Sequence, residues 1–158
     1  MASKSKAIRV YADTSVYGGV FDREFAAASR RFFEEVRRGR FCLLVSAVVR
    51  DETAAAPKAV VDFFDTLRPV AEEFPVTGEA VALQQSYIQA GVVGDRWQAD
   101  ALHVALATVA GCDLIVSWNF KHIVHFDKIG GYNAVNKRDG YGVLGIHAPP
   151  EVTDENDS

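Results

Sequence analysis

The chain has 158 residues, 49% of them hydrophobic and 24% charged, the size and make-up of one ordinary folded domain. A net charge of -4 excludes a protein that coats nucleic acid through bulk positive charge, and omitting the tail acids Glu151, Asp154, Glu155 and Asp157 leaves the remainder neutral. Its two cysteines, Cys42 and Cys112, sit inside apolar stretches, which excludes a disulfide framework and suits a reducing cytoplasm.

The polar start from Met1 to Lys6 leads into apolar residues interrupted by Arg9 and Asp13, so no signal-peptide core is expected. Ile8 to Ala12 is a β-prone run ending at Asp13, and Gly18-Gly19 is expected to open a turn. From Phe25 to Arg38, apolar residues at Phe25, Ala28, Phe32, Phe33 and Val36 recur at helical spacing, and Gly39 closes that helix. Phe41 to Val45 is a continuous apolar strand of the kind buried on both faces, followed by Ser46 as a helix cap. The helix after it carries Glu52, and Pro57 starts another with Val60, Phe63, Phe64 and Leu67.

Val70 to Val76 is a weaker strand, kept from a central position by Glu72, Glu73 and Pro75. Gly78 to Ala90 reads as a helix. For the next helix, Asp95 and Gln98 have capping-box spacing, and the run continues through Asp100 to Ala110 with Gly111 as its stop. The longest apolar stretch, Ala101 to Cys112, is broken by His103 and Thr108 and is too short to cross a bilayer, so no membrane association is expected. Asp113 to Ser117 is a strand, Asn119 lies in the loop after it, residues 126 to 142 read as irregular, and Val143 to His147 forms a last strand.

Strands alternating with helices predict an α/β domain, a three-layer α/β/α sandwich with a mainly parallel central sheet. It is expected to span residues 1–150, with 151–158 as an acidic, frayed tail. Ligands of such sheets bind at the carboxyl ends of the strands, where Asp13 and Asn119 fall.

Asp13 precedes the hydroxyls of Thr14 and Ser15 and reads either as a helix or turn cap or as a functional acid. Asp100 lies near the start of a helix so apolar that an ionised carboxylate there is costly unless paired or bound to metal; a first-turn Asp favoured by the helix dipole is the bland alternative. Glu52 stands next to Asp51, and periodicity does not choose between them. His122 and His125 are three apart, as zinc ligands can be, but no cysteine or third histidine lies near them. Lys121, His122, Lys128, Lys137 and Arg138 read as a basic rim or a solvated loop, and Trp118 and Tyr132 as stacking surfaces or core. Arg30, Arg31, Arg37 and Arg38 read as a solvated helix face or as a partner's docking site.

In order and spacing, four segments resemble the PIN-domain nucleases: Asp13-Thr14-Ser15 after the first strand, Ser46 with Glu52 six residues on, Asp100-Ala-Leu-His-Val-Ala-Leu-Ala, and Ser117-Trp118-Asn119-Phe120-Lys121-His122-Ile123. The resemblance runs from Ile8 to about Val152. It implies an Mg2+- or Mn2+-dependent endoribonuclease acting on single-stranded or structured RNA, like the VapC-type toxins of bacterial toxin-antitoxin pairs, with a cognate antitoxin and a homodimer as expected partners. It implies Asp13, Glu52 and Asp100 as metal-binding catalytic acids, choosing Glu52 over Asp51. At the fourth catalytic position the family often has Asp; Asn119 stands there, as in a branch with Trp-Asn, and keeps a carbonyl oxygen suited to a hard cation or its water.

A haloacid-dehalogenase-type phosphatase needs a second Asp two residues after the first, where Ser15 stands, and the acidic pair of a receiver domain is missing. The remaining alternative is a PIN-like module that binds RNA or protein with weak or no catalysis.

Overall fold

The computed structural model describes residues 7–154; the polar start at 1–6 and the tail residues 155–158 lie outside the described residues. In chain order the elements are β1 Ile8–Ala12, α1 Thr14–Gly19, α2 Ala26–Arg37, β2 Phe41–Ser46, α3 Ala47–Ala54, α4 Lys58–Leu67, β3 Ala71–Phe74, α5 Gly78–Gln89, α6 Gln98–Val109, β4 Leu114–Val116, α7 Phe126–Arg138, β5 Gly145–His147 and α8 Pro149–Val152.

The five strands form one all-parallel sheet in the order β3-β2-β1-β4-β5. The central strands are apolar because both faces are covered: Val10, Tyr11 and Ala12 of β1, Leu43, Leu44 and Val45 of β2, and Ile115 and Val116 of β4 are all buried. Each large aliphatic side chain so enclosed contributes about 1.5–3 kcal/mol. Glu72 and Glu73 sit on β3, an edge strand, where water can reach them.

The order reverses after β3, since the chain crosses from one edge to the far side of β1 before laying down β4 and β5. With right-handed crossovers, connections running in opposite directions along a sheet lie on opposite faces. Accordingly α1 to α4 pack against one another, and α5 packs against α6 and α7. The result is the expected α/β sandwich.

Four local expectations are corrected. Gly18-Gly19 ends a helix: Asp13 caps α1, and Gly19 is where the chain comes close to Ser29 and Trp118, since an added Cβ would lie 2.6 Å from Ser29 Oγ and 2.7 Å from Trp118 Nε1. Asp95 and Gln98 form no side-chain capping box, because residues 95–97 make a 3-10 turn in which the Trp97 N–H donates to the Gly94 carbonyl at 2.9 Å. The segment read as irregular is α7, capped by His125, with Asp127 in its first turn and Lys137 and Arg138 in its last, all favourable to the helix dipole. Its Gly131 is a packing residue, since a Cβ there would meet Val92 at 3.1 Å.

The fourth concerns the tail. Residues 151–154 are held: the Glu151 carboxylate accepts from the Ala148 N–H at 2.7 Å, Arg40 donates to the Val152 carbonyl at 2.8 Å, and buried Glu35 pairs with Arg40 and accepts from the Asp154 N–H at 3.2 Å. Among the described residues, no helix is long and apolar enough to cross a membrane.

Candidate active site

The strand order reverses between β1 and β4, and in such sheets ligands bind at the carboxyl ends of the strands beside that reversal. Asp13 follows β1 directly and its N–H donates to the Val116 carbonyl at 3.2 Å, which sets it beside Ser117. The side chain is buried and both oxygens are used. Oδ1 accepts from Ser15 Oγ at 2.5 Å and the Ser15 N–H at 3.2 Å; Oδ2 accepts from Ser117 Oγ at 2.6 Å. Each hydroxyl also accepts from the next loop, Ser15 Oγ from the Trp118 N–H and Ser117 Oγ from the Asn119 N–H, both at 2.9 Å. The loop after β4 is thereby tied to Asp13 through two serines. Burial raises the Asp13 pKa above the ordinary carboxylate value, against the opposing pull of His103 and the two serines.

Glu52 belongs to a second chain of contacts. Ser46 caps α3, accepting from the Val49 N–H at 3.1 Å, and its hydroxyl lies 2.8 Å from that of Tyr11. The Tyr11 hydroxyl is 2.7 Å from His103 Nδ1, His103 Nε2 is 3.0 Å from Glu52 Oε1, and Thr14 Oγ1 donates to the same oxygen at 2.5 Å. A protonated His103 satisfies every member at once: Nε2–H donates to Glu52, Nδ1–H to Tyr11, and Tyr11 to Ser46. Burial alone lowers the His103 pKa, but the Glu52 bond and the charges of Asp13, Glu52 and Asp100 outweigh it and hold the value above the ordinary one. The His103 bond is the main cause of the lowered Glu52 pKa, with burial opposing and Thr14 assisting.

Sequence reasoning passed over His103, treating it as an interruption of an apolar run. The available signal was its position three residues after Asp100 on the same helix, hence on the same face.

Asp100 is in the first turn of α6, with its side chain 25% exposed and Oδ2 lying 3.2 Å from His122 Nδ1. The outer face of His122 stacks on Trp97, with ring centroids 3.9 Å apart. Asn119 is close in sequence to these groups, but its side-chain oxygen accepts from the backbone N–H groups of Lys121 at 3.2 Å and His122 at 3.0 Å. It shapes the turn that presents His122 to Asp100.

In chemistry the donors suit a hard divalent cation: carboxylate oxygens from three elements, with the Glu52 and Asp100 side chains 41% and 25% exposed and so open to solvent. Among the described residues, no three Asp, Glu, His or Cys side chains stand ready around one ion position. The acids turn toward His103, Thr14, His122 and the two serines.

Other candidates have structural partners. Trp118 stacks on Phe25, with centroids 4.2 Å apart, and donates from Nε1 to Ser29 at 2.9 Å. Tyr132 is fully buried and donates to the His122 carbonyl at 2.7 Å. His125 accepts from the Asp127 N–H at 3.2 Å while His122 faces Asp100, so the two do not converge as zinc ligands. Lys128 donates to the Val92 carbonyl at 2.8 Å, and Arg138 pairs with Asp139. Arg30, Arg31, Arg38 and Arg40 line a cleft of about 490 Å³ together with Glu34, Glu35 and Asp154, which offset most of their charge. The Cys112 thiol, pushed up to about 12 chiefly by burial, stays protonated at neutral pH.

No protein-family model matches the chain. No functionally curated protein matches it either. Among solved structures, the crystal structure of VapBC2 from Rickettsia felis bound to a DNA fragment from their promoter aligns with a TM-score of 0.52, over 72% of this chain and 90% of that one, at 14% sequence identity. At that identity the likeness is one of fold.

Proposed function

We propose that this protein is a metal-dependent endoribonuclease of the PIN type, the toxin component of a toxin-antitoxin pair. The observation that carries the reading is that Asp13, Glu52 and Asp100, from three separate elements, all bear by charge on one buried histidine, His103, beside a parallel sheet whose strand order reverses at β1 and β4. The arrangement of acids, the motif order and a fold shared with a toxin-antitoxin complex point the same way. The same likeness supports an antitoxin protein as partner, and a homodimer in a cytoplasmic setting belongs to the reading as well.

Asp13, Glu52 and Asp100 would hold Mg2+ or Mn2+, which when bound neutralises phosphate charge and lowers the pKa of a bound water. The chain's own residues set the stage. Ser15 and Ser117 fix both oxygens of Asp13; Thr14 and His103 aim Glu52; His122 aims Asp100. Lys121 is exposed beside them as a phosphate contact.

Purified protein should cleave unstructured RNA only with added Mg2+ or Mn2+, and Asp13→Ala should reduce cleavage to background. Activity that survives this change, or that ignores chelation, rejects the reading.

A second reading has its own observation. The Asn119 side-chain oxygen is engaged by two backbone amides and no three-acid ion position is formed among the described residues, which favours a PIN-like module that binds RNA or protein with little cleavage. RNA binding without metal-dependent cleavage, unchanged by Asp13→Ala, would select it.

A further inference from the structure

Trp118 and Tyr132, the aromatic residues that the sequence offers for base stacking, are occupied by the fold. A different tryptophan is presented at the acid site. Trp97 closes the 3-10 turn before α6 and is 39% exposed. Its indole lies nearly parallel to the His122 ring, at 3.9 Å and 21°, and His122 is itself held by Asp100. The orientation of the indole is therefore fixed through the side chain that touches a candidate catalytic acid.

Positive charge flanks this ring. The Arg96 guanidinium lies over the indole face turned away from His122, 5.3 Å from its centroid, where an incoming base would take its place, and exposed Lys121 directly precedes His122 in the chain. Phe120, 48% exposed, follows Asn119 directly, and its ring centroid lies 6.1 Å from that of Trp118. Aromatic faces alternating with cations suit a nucleotide strand, whose bases stack while its phosphates meet the charges. A duplex hides its base faces inside its own stack and cannot use such a surface.

We infer that Trp97 is a base-stacking platform of the site, with Arg96 and Lys121 as phosphate contacts and Phe120 as a second aromatic contact. This rests on the ribonuclease reading of the same site.

The two tryptophans of the chain make the test direct. In Trp118→Phe, Trp97 is the sole indole, and its emission is followed while a short unstructured RNA, or the same strand annealed to its complement, is added without metal; should that variant not fold, quenching is compared between wild type and Trp97→Phe. Binding is measured in parallel for wild type, Trp97→Ala, Trp97→Phe and Phe120→Ala, each checked for an unchanged melting temperature.

Single-stranded RNA is expected to quench Trp97, and Trp97→Ala to weaken binding about tenfold, with Trp97→Phe keeping most of the affinity. Duplex RNA should bind weakly and leave the emission unchanged. Unaltered affinity in Trp97→Ala with no quenching, while wild type still cuts RNA with metal, overturns the stacking role and leaves the nuclease reading standing. A wild-type protein that neither binds nor cuts RNA overturns both.

Discussion

Two sets of polar side chains among the described residues, one beneath α7 and one at the carboxyl ends of β1 and β4, are built on opposite principles. Beneath α7, Tyr87 donates to Asn136, Asn136 Nδ2 donates to Thr108 Oγ1 at 3.3 Å, and Asn133 both donates to the Leu144 carbonyl at 2.9 Å and accepts from the Leu144 N–H at 2.8 Å. All these groups are neutral, and they close on one another. At the carboxyl ends of β1 and β4, Asp13, Glu52, Asp100 and His103 are ionisable, each with its own hydrogen-bond partners, and Glu52 and Asp100 are part-exposed. A closed neutral network specifies packing; an open charged one retains interactions that a ligand can replace.

The sharpest way to break this contrast is Ser117→Ala. It removes the donor to Asp13 Oδ2 and the acceptor of the Asn119 N–H together. Cleavage should fall about ten- to a hundredfold, with a stability loss of about 1–3 kcal/mol. Ser117→Thr, which keeps the hydroxyl, should recover most of the activity in single-turnover assays. Wild-type cleavage by the alanine variant would show that the serine relay has no part in the chemistry.

Asn136→Ala probes the other network. It leaves the buried Tyr87 hydroxyl with only the long 3.4 Å contact to Thr108, so denaturant unfolding should report a loss of about 1–3 kcal/mol. Activity per folded molecule should not change. If cleavage fell in proportion to stability in both variants, the division between a structural and a chemical network would fail.

The same division explains what was legible in the sequence. The five strands and most helices could be read because Phe41 to Val45 and Leu114 to Val116 are continuous apolar runs and α2 has helical spacing. The helix α7 could not, because Gly130, Gly131, Asn133 and Asn136 look like loop residues. Gly131 is needed for contact with Val92, and the asparagines satisfy hydrogen bonds of β5's approach and of Tyr87, all of which are tertiary facts. Asp13, Glu52 and Asp100 rest on motif order: Asp13 follows a strand and Asp100 lies in a helix's first turn, whereas Glu52 lies in the second half of α3, where no local pattern singles it out. The roles of His103 and Trp97 were hidden because a histidine in an apolar run and a tryptophan before a helix carry no local sign of their neighbours. The turn-shaping bonds of Asn119 depend on backbone amides that no residue pattern displays.

The smallest effect expected is also the most diagnostic of how the acids coexist. If Asp13, Glu52 and Asp100 merely repelled one another, Asp100→Asn would stabilise the metal-free protein by relieving like charge. His103, whose pKa is raised, against the cost of burial, chiefly by its Glu52 hydrogen bond, stands among them, and His122 Nδ1 lies 3.2 Å from Asp100 Oδ2, so these contacts offset that repulsion. The part-exposed Asp100 should therefore yield a stability change below about 1 kcal/mol in Asp100→Asn, read by denaturant unfolding without metal. Added Mg2+ should raise the melting temperature of wild type by mass action, and raise that of the variant less. A clear stabilisation of the metal-free variant would mean that the histidine contacts do not offset the repulsion and that the fold alone holds the acids together. Identical responses to Mg2+ in both proteins would remove Asp100 from the cation's ligands and leave it the single task of holding His122 under Trp97.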